Sequence, residues 1–88
     1  MKNEELRIEN SIYKWLESFN IFPFSVFFTF CTREGLLSIT FFLSQDLSEF
    51  LDKIGYKKLV DKSGINVIED TNTVLLSGTA LTKFYTLL

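Results

Sequence analysis

The residues of this sequence that could do chemistry are a few carboxylates, one thiol and a group of lysines. Asp46, Glu49 and Asp52 recur at i, i+3 and i+6, and Glu69 directly precedes Asp70. Such carboxylates could act as a general acid and base, or bind a hard cation. They do not lie in a glycine-rich loop with alternating oxygen ligands, so the favoured interpretation is a solvated helix face and a polar turn.

Histidine is absent from the sequence, and the single cysteine is Cys31. The commonest general base and the commonest metal ligand are therefore missing, and Cys31 lacks the histidine that usually activates a catalytic thiol. The spacing of zinc ligands and the glycine-rich phosphate loop are also missing. We therefore expect a protein that is not an enzyme and has no metal ion or cofactor, in which Cys31 acts as a small hydrophobic residue.

Four lysines, Lys53, Lys57, Lys58 and Lys62, form a basic cluster. They could contact nucleic-acid phosphates or an acidic protein surface. In the structural interpretation, Lys53 stabilises a helix C-terminus and the other three decorate an exposed edge strand. Because arginines are few and the net charge is −2, the structural interpretation is favoured, and a nucleic-acid-binding regulator is the alternative function.

The composition indicates one small soluble domain spanning residues 1–88. Hydrophobic residues make up 47% of the chain and aromatic residues 16%, which is too apolar for a disordered chain. A single cysteine, an N-terminus without an apolar signal region and apolar stretches too short to span a membrane favour a cytoplasmic location. Alanine occurs once, whereas phenylalanine, isoleucine and lysine are abundant, a bias that fits an AT-rich genome.

Three segments have the apolar periodicity of amphipathic helices. The first is about residues 4–19, with Asn3 as its N-cap, and the second is about residues 45–54, with Ser44 as its N-cap. The third follows Gly78, where apolar residues return to helical spacing. Its threonines favour a strand by propensity, so a strand is the alternative there.

Residues 23–44 are predicted to form a hairpin whose two strands each have apolar residues on both faces. For the faces of the two strands to coincide, the loop must contain an even number of residues, and the four residues 32–35, or a two-residue turn within them, satisfy this condition. Gly35 supplies the positive φ that such a turn needs. Phe28 and Ile39 then become neighbours across the two strands.

The remaining strands are predicted at residues 56–60, 65–69 and 73–76. The resulting order is α-β-β-α-β-β(-β)-α, in which the last strand is optional. This order predicts a small two-layer α+β domain, with an antiparallel sheet of four to five strands packed by two to three helices.

The second face of the hairpin carries Phe27, Cys31, Leu36 and Phe42 among small hydroxyl residues. Burying Phe27 or Phe42 is worth about 1.5–3 kcal/mol each, and leaving both in water would create an aggregation-prone patch. Three occupants could cover this face: the C-terminal helix, a second copy of the protein, or a different protein.

The sequence therefore predicts a non-enzymatic protein-binding module, working as a homodimer and docking on another protein. An inhibitor, an adaptor and a chaperone-like accessory all fit, and the coding bias fits a phage or mobile-element protein that blocks a host defence protein. Besides the nucleic-acid-binding alternative, a carrier of small apolar ligands would have its pocket between the sheet and the helices.

Overall fold

The computed structural model describes residues 2–21, 25–31 and 35–88. Over these residues the chain forms, in order, α1 (Lys2–Glu17), β1 (Val26–Cys31), β2 (Leu36–Phe41), α2 (Ser44–Lys53), β3 (Ile65–Ile68), β4 (Thr73–Ser77) and α3 (Gly78–Leu87). The strands form one antiparallel sheet in the order β1-β2-β4-β3, and the helices share a single core with one of its faces. The predicted two-layer α+β fold and its element order are confirmed, with four strands in the sheet.

The predicted pairing of the hairpin is also confirmed. Phe28 lies opposite Ile39, and the two strands are separated by residues 32–35. Gly35 has φ +61°, the left-handed conformation expected of it. Alternation then turns the side chains of Leu37, Ile39 and Phe41 toward the helices, where all three are buried. Of the predicted hairpin, Pro23 and Phe24 at its start and Thr32, Arg33 and Glu34 of its loop lie outside the described residues.

The helices begin earlier than the sequence predicts. Asn3 lies inside α1 and is not its N-cap. Ser44 is the first residue of α2, and Leu43 occupies the N-cap position without a side-chain hydrogen bond. The reason is that the Leu43 backbone is extended and its carbonyl already accepts the N–H groups of Asp46 and Leu47, at 3.1 and 3.3 Å. Leu43 therefore takes the N-cap position, and Ser44 becomes the first helical residue.

The strand predicted at residues 56–60 is wrong. Tyr56–Lys58 form a 3-10 turn instead, which follows Gly55 in the left-handed conformation. The Lys58 N–H donates to the Gly55 carbonyl at 3.0 Å, and the Leu59 N–H donates to the Tyr56 carbonyl at 3.3 Å. These local bonds occupy the backbone groups that a strand would have used for pairing.

The core is an aromatic cluster between the helices and the sheet. The Phe84 ring of α3 lies 5.4 Å from Trp15 of α1 and 5.5 Å from Phe50 of α2, and Phe50 lies 5.3 Å from Phe41 of β2. The C-terminal segment is thus a helix, and it packs on the same side of the sheet as the other two. Over the described residues, no helix combines the length and the apolar character needed to cross a membrane.

Candidate protein interface

We call the face of the sheet that is turned away from the helices the open face. The strand register assigns to it Phe27, Thr29, Leu36, Ser38, Thr40, Asn66, Ile68, Thr73, Leu75 and Ser77. None of these ten residues carries a charge. A sheet face in contact with water usually shows polar residues at its outward positions, whereas this face has four large apolar side chains. Phe27 is 68% exposed and Ile68 is 38% exposed.

One row of side chains crosses all four strands of the open face. Phe27 lies opposite Thr40, Thr40 opposite Thr73, and Thr73 opposite Ile68. The hydroxyl oxygens of Thr40 and Thr73 are 2.9 Å apart, and the Thr71 hydroxyl donates to that of Thr73 at 2.9 Å. The polar centre of the row therefore satisfies its own hydrogen bonds. A partner could cover it without leaving these groups unpaired.

Phe42 extends the open face beyond the end of β2. Its N–H donates to the Ser25 carbonyl at 2.8 Å, and its side chain is 81% exposed. Phe27, Thr40 and Phe42 border a shallow cleft of about 350 Å³, and Asp70 supplies a charge at its rim. The cleft is a recess beside the two exposed rings.

The residues predicted for the interface occupy two ends of the open face. Phe27 and Phe42 come together at the cleft, whereas Leu36 is half-buried and lies four residue pairs along the hairpin from Phe27. Cys31 pairs with Leu36 through the backbone, and its side chain lies outside the described part of the chain. Sequence reasoning missed Ile68 and Leu75. The alternation in their strands was visible, but the sheet order that places them beside the hairpin was not.

The lysines of the basic cluster are all exposed, and two of them contact rings of the protein itself. Lys53 Nζ lies 4.9 Å from the centre of the Phe19 ring, and Lys62 Nζ lies 5.2 Å from that of Tyr56. Lys57 and Lys58 lie in the 3-10 turn and not on the predicted edge strand. The two ring contacts are cation–π interactions, which favour the structural interpretation for Lys53 and Lys62.

The carboxylates lie where their spacing predicts. Asp46, Glu49 and Asp52 lie within α2, and the first two are half-buried. Glu69 and Asp70 are exposed in a 3-10 turn at Glu69–Thr71. Over the described residues, no group of three or more acidic or cysteine side chains is arranged to hold a metal ion.

Together, the fold and the site define a small two-layer α+β domain in which the described residues leave one face of the sheet uncovered. No protein-family model matches the chain, and no curated protein or solved structure matches it. A fold of this kind hosts many functions, so the function must be argued from the open face itself.

Proposed function

We propose that the protein is a non-enzymatic binding module that docks on another protein through the open face of its sheet. The observation that carries the proposal is the uncharged four-stranded face, on which Phe27 is 68% exposed and Phe42, at its margin, 81% exposed. Burying each ring at an interface would contribute about 1.5–3 kcal/mol relative to exposure. Large exposed aromatic side chains near a self-satisfied hydroxyl row are typical of a surface that a partner covers.

The partner that fits this face best is a second copy of the chain. In a two-fold symmetric dimer the same patch meets itself, so a charge near the axis would face its own copy. The ten open-face residues of the strands avoid this repulsion because none of them is charged, and Asp70 at the rim of the cleft lies outside the strands, in the turn before β4. The face also combines projecting rings, Phe27 and Phe42, with the cleft of about 350 Å³ beside them. A self-complementary interface needs both a projection and a recess.

The experiment is the solution mass by light scattering after size exclusion, over a range of protein concentrations. We expect a mass near twice the 10.2 kDa of one chain. Phe27→Asp and Phe42→Asp should each lower it to the monomer mass, because they place like charges against one another across the interface. Val60→Asp is the matched control, since Val60 is fully exposed on the loop that borders α3.

A wild-type monomer at every concentration would exclude the second copy. The next measurement is then capture of host proteins by the wild type and by the Phe27→Asp/Phe42→Asp variant. Capture that the double variant abolishes would support a different protein as the partner. Identical capture by both proteins would contradict any docking role for the open face.

A small docking module of this kind can act as an inhibitor, an adaptor or a chaperone-like accessory, and a phage or mobile-element inhibitor of a host defence protein is one such case. An activity assay on the identified partner, with and without the module, distinguishes these roles. Nucleic-acid binding through Lys53, Lys57, Lys58 and Lys62 remains a separate prediction, and it requires an affinity that falls steeply with salt.

A further inference from the structure

A cavity of about 590 Å³ lies on the helix side of the sheet, between α3 and the loop of residues 59–64. Its volume is within the range of about 300–1,000 Å³ that is typical of small-molecule sites. Of the ten open-face residues only Ser77, at the end of β4, also lines this cavity, and the cavity shares no residue with the cleft at Phe27 and Phe42. Its apolar wall is formed by Ile54, Leu59, Ile65, Leu76, Phe84 and Leu87.

The wall of the cavity is held in place by the hydrophobic core on one side and by the contact between the loop and the start of α3 on the other. Leu76 and Phe84 are buried in the core, so the floor is held by the packing of the whole domain. At the other end, the Ser77 N–H donates to the Gly64 carbonyl at 2.9 Å. A Cβ atom added at Gly64 would meet the Ala80 Cβ at 2.8 Å, so the loop and α3 are in close contact there. Between the 3-10 turn and Gly64, the loop contributes Leu59, Asp61 and Ser63 to the lining of the cavity.

The mouth of the cavity combines one anion and one cation. The Ser63 N–H donates to the Asp61 carboxylate at 2.9 Å. This bond and the positive charge of Lys83 lower the pKa of Asp61 below its ordinary value, so Asp61 is ionised at neutral pH. Lys83 lies on the α3 side of the same mouth, with the hydroxyls of Thr79 and Thr86 beside it.

We infer that this cavity binds a small, predominantly apolar molecule without net charge, whose polar end both donates and accepts hydrogen bonds, as in an alcohol or a primary amide. The apolar wall accommodates the hydrocarbon part. A neutral polar end can donate to Asp61 and accept from Lys83. For a carboxylate the attraction of Lys83 is offset by the repulsion of Asp61, and for an ammonium group the reverse holds, so a charged end gains little at the mouth while it loses more hydration than a neutral group on entering.

The test uses probes that share an octyl chain and differ in the polar end: octanol, octanamide, octanoate and octylammonium. Each is titrated into the protein while backbone amide resonances are followed by NMR. We expect octanol and octanamide to shift the resonances of Gly64, Ala80 and Lys83, and to bind at least about tenfold more tightly than either charged probe. Equal affinities for all four probes, or no binding of octanol, would overturn the inference.

Two pairs of variants locate the binding. Thr79→Trp should block the mouth and abolish octanol binding, whereas Thr82→Trp, at an exposed position of the same helix that does not line the cavity, should leave it unchanged. Asp61→Asn should raise the affinity for octanoate several-fold, and Lys83→Met should do so for octylammonium. Octanol binding that survives in a folded Thr79→Trp variant would contradict the assignment. If that variant does not fold, unchanged probe preferences in the two charge variants would contradict it as well.

Binding at the cavity and docking at the open face can fail separately. Phe27→Asp should leave octanol affinity unchanged, because Phe27 lies on the opposite side of the sheet. Loss of octanol binding in that variant, with the fold intact, would show that the probe had bound the open face and would overturn the cavity assignment.

Discussion

The Phe84 ring packs edge-on against Trp15 with the ring centroids 5.4 Å apart, which joins the C-terminal helix to the N-terminal one on the same side of the sheet. The apolar side chains of α3 are therefore used in the core, and Leu81 and Phe84 are buried there. The C-terminal helix is thus excluded as the cover of the second face of the hairpin. Over the part of the chain that the structure describes, Phe27 and Phe42 remain exposed.

Phenylalanines at buried and exposed positions should differ sharply in their effect on stability. Phe50→Ala is expected to lower the free energy of unfolding by about 3–5 kcal/mol, because Phe50 is buried against three aromatic rings. Phe27→Ala should change it by no more than about 0.5 kcal/mol. Urea unfolding followed by Trp15 fluorescence, at a protein concentration too low for self-association, measures both. A large loss for Phe27→Ala under those conditions would contradict the exposed placement of its ring.

Truncation after Gly78 should unfold the protein and not merely uncover a surface. It removes Leu81 and Phe84, and the loss of core side chains of this size costs about 2–5 kcal/mol each. Small domains have a total stability of only about 5–15 kcal/mol. Thermal melting by circular dichroism should show no cooperative transition in the truncated chain. Deletion of the exposed Leu88 is the control, and a truncated chain that still melts cooperatively would refute the packing of α3.

Gly64→Ala should destabilise the fold by about 1–3 kcal/mol, because the added methyl group would meet the Ala80 Cβ and the Ser77 carbonyl oxygen. Replacing Ala80 with glycine in the same chain removes one of these contacts and should restore part of the loss. In Gly35→Ala the added Cβ meets no atom, so the expected loss comes from the backbone φ of +61° alone. Ala80→Gly should not rescue that variant. The measurement is the urea concentration at the midpoint of unfolding, compared with the wild type for Gly64→Ala and Gly35→Ala, each with and without Ala80→Gly.

The pKa of Asp61 provides a test of the cavity mouth. It is lowered mainly by the Ser63 N–H that donates to the carboxylate, and further by the charge of Lys83. A lowered pKa in the folded state means that the interaction stabilises the fold above the ordinary pKa of 3.8 and is lost as the pH falls through the lower value. Carbon NMR of the Asp61 carboxyl group should give a titration midpoint below 3.8. In Lys83→Met the titration midpoint of Asp61 should rise. An unchanged midpoint would contradict the placement of Lys83 near Asp61 at the mouth of the cavity.

Much of the fold followed from local patterns. Apolar residues at helical spacing located all three helices, and the parity of the loop at residues 32–35 was enough to pair Phe28 with Ile39. The strand prediction at residues 56–60 failed because of local interactions as well. Gly55 turns the chain into a 3-10 turn, and its bonds compete successfully with the weak strand propensity of that segment.

By itself, the sequence determined which residues share a face of the hairpin, because side chains alternate along a strand whatever surrounds it. Phe27 and Phe42 were identified in this way. The tertiary structure alone decided that α3 joins the other two helices on the covered face, and that β4 lies beside β2 and brings Leu75 and Ile68 onto the open face. It also decided that the loop before β3 and the side of α3 enclose a cavity. These features depend on contacts between segments far apart in the chain, and periodicity within a segment contains no information about them.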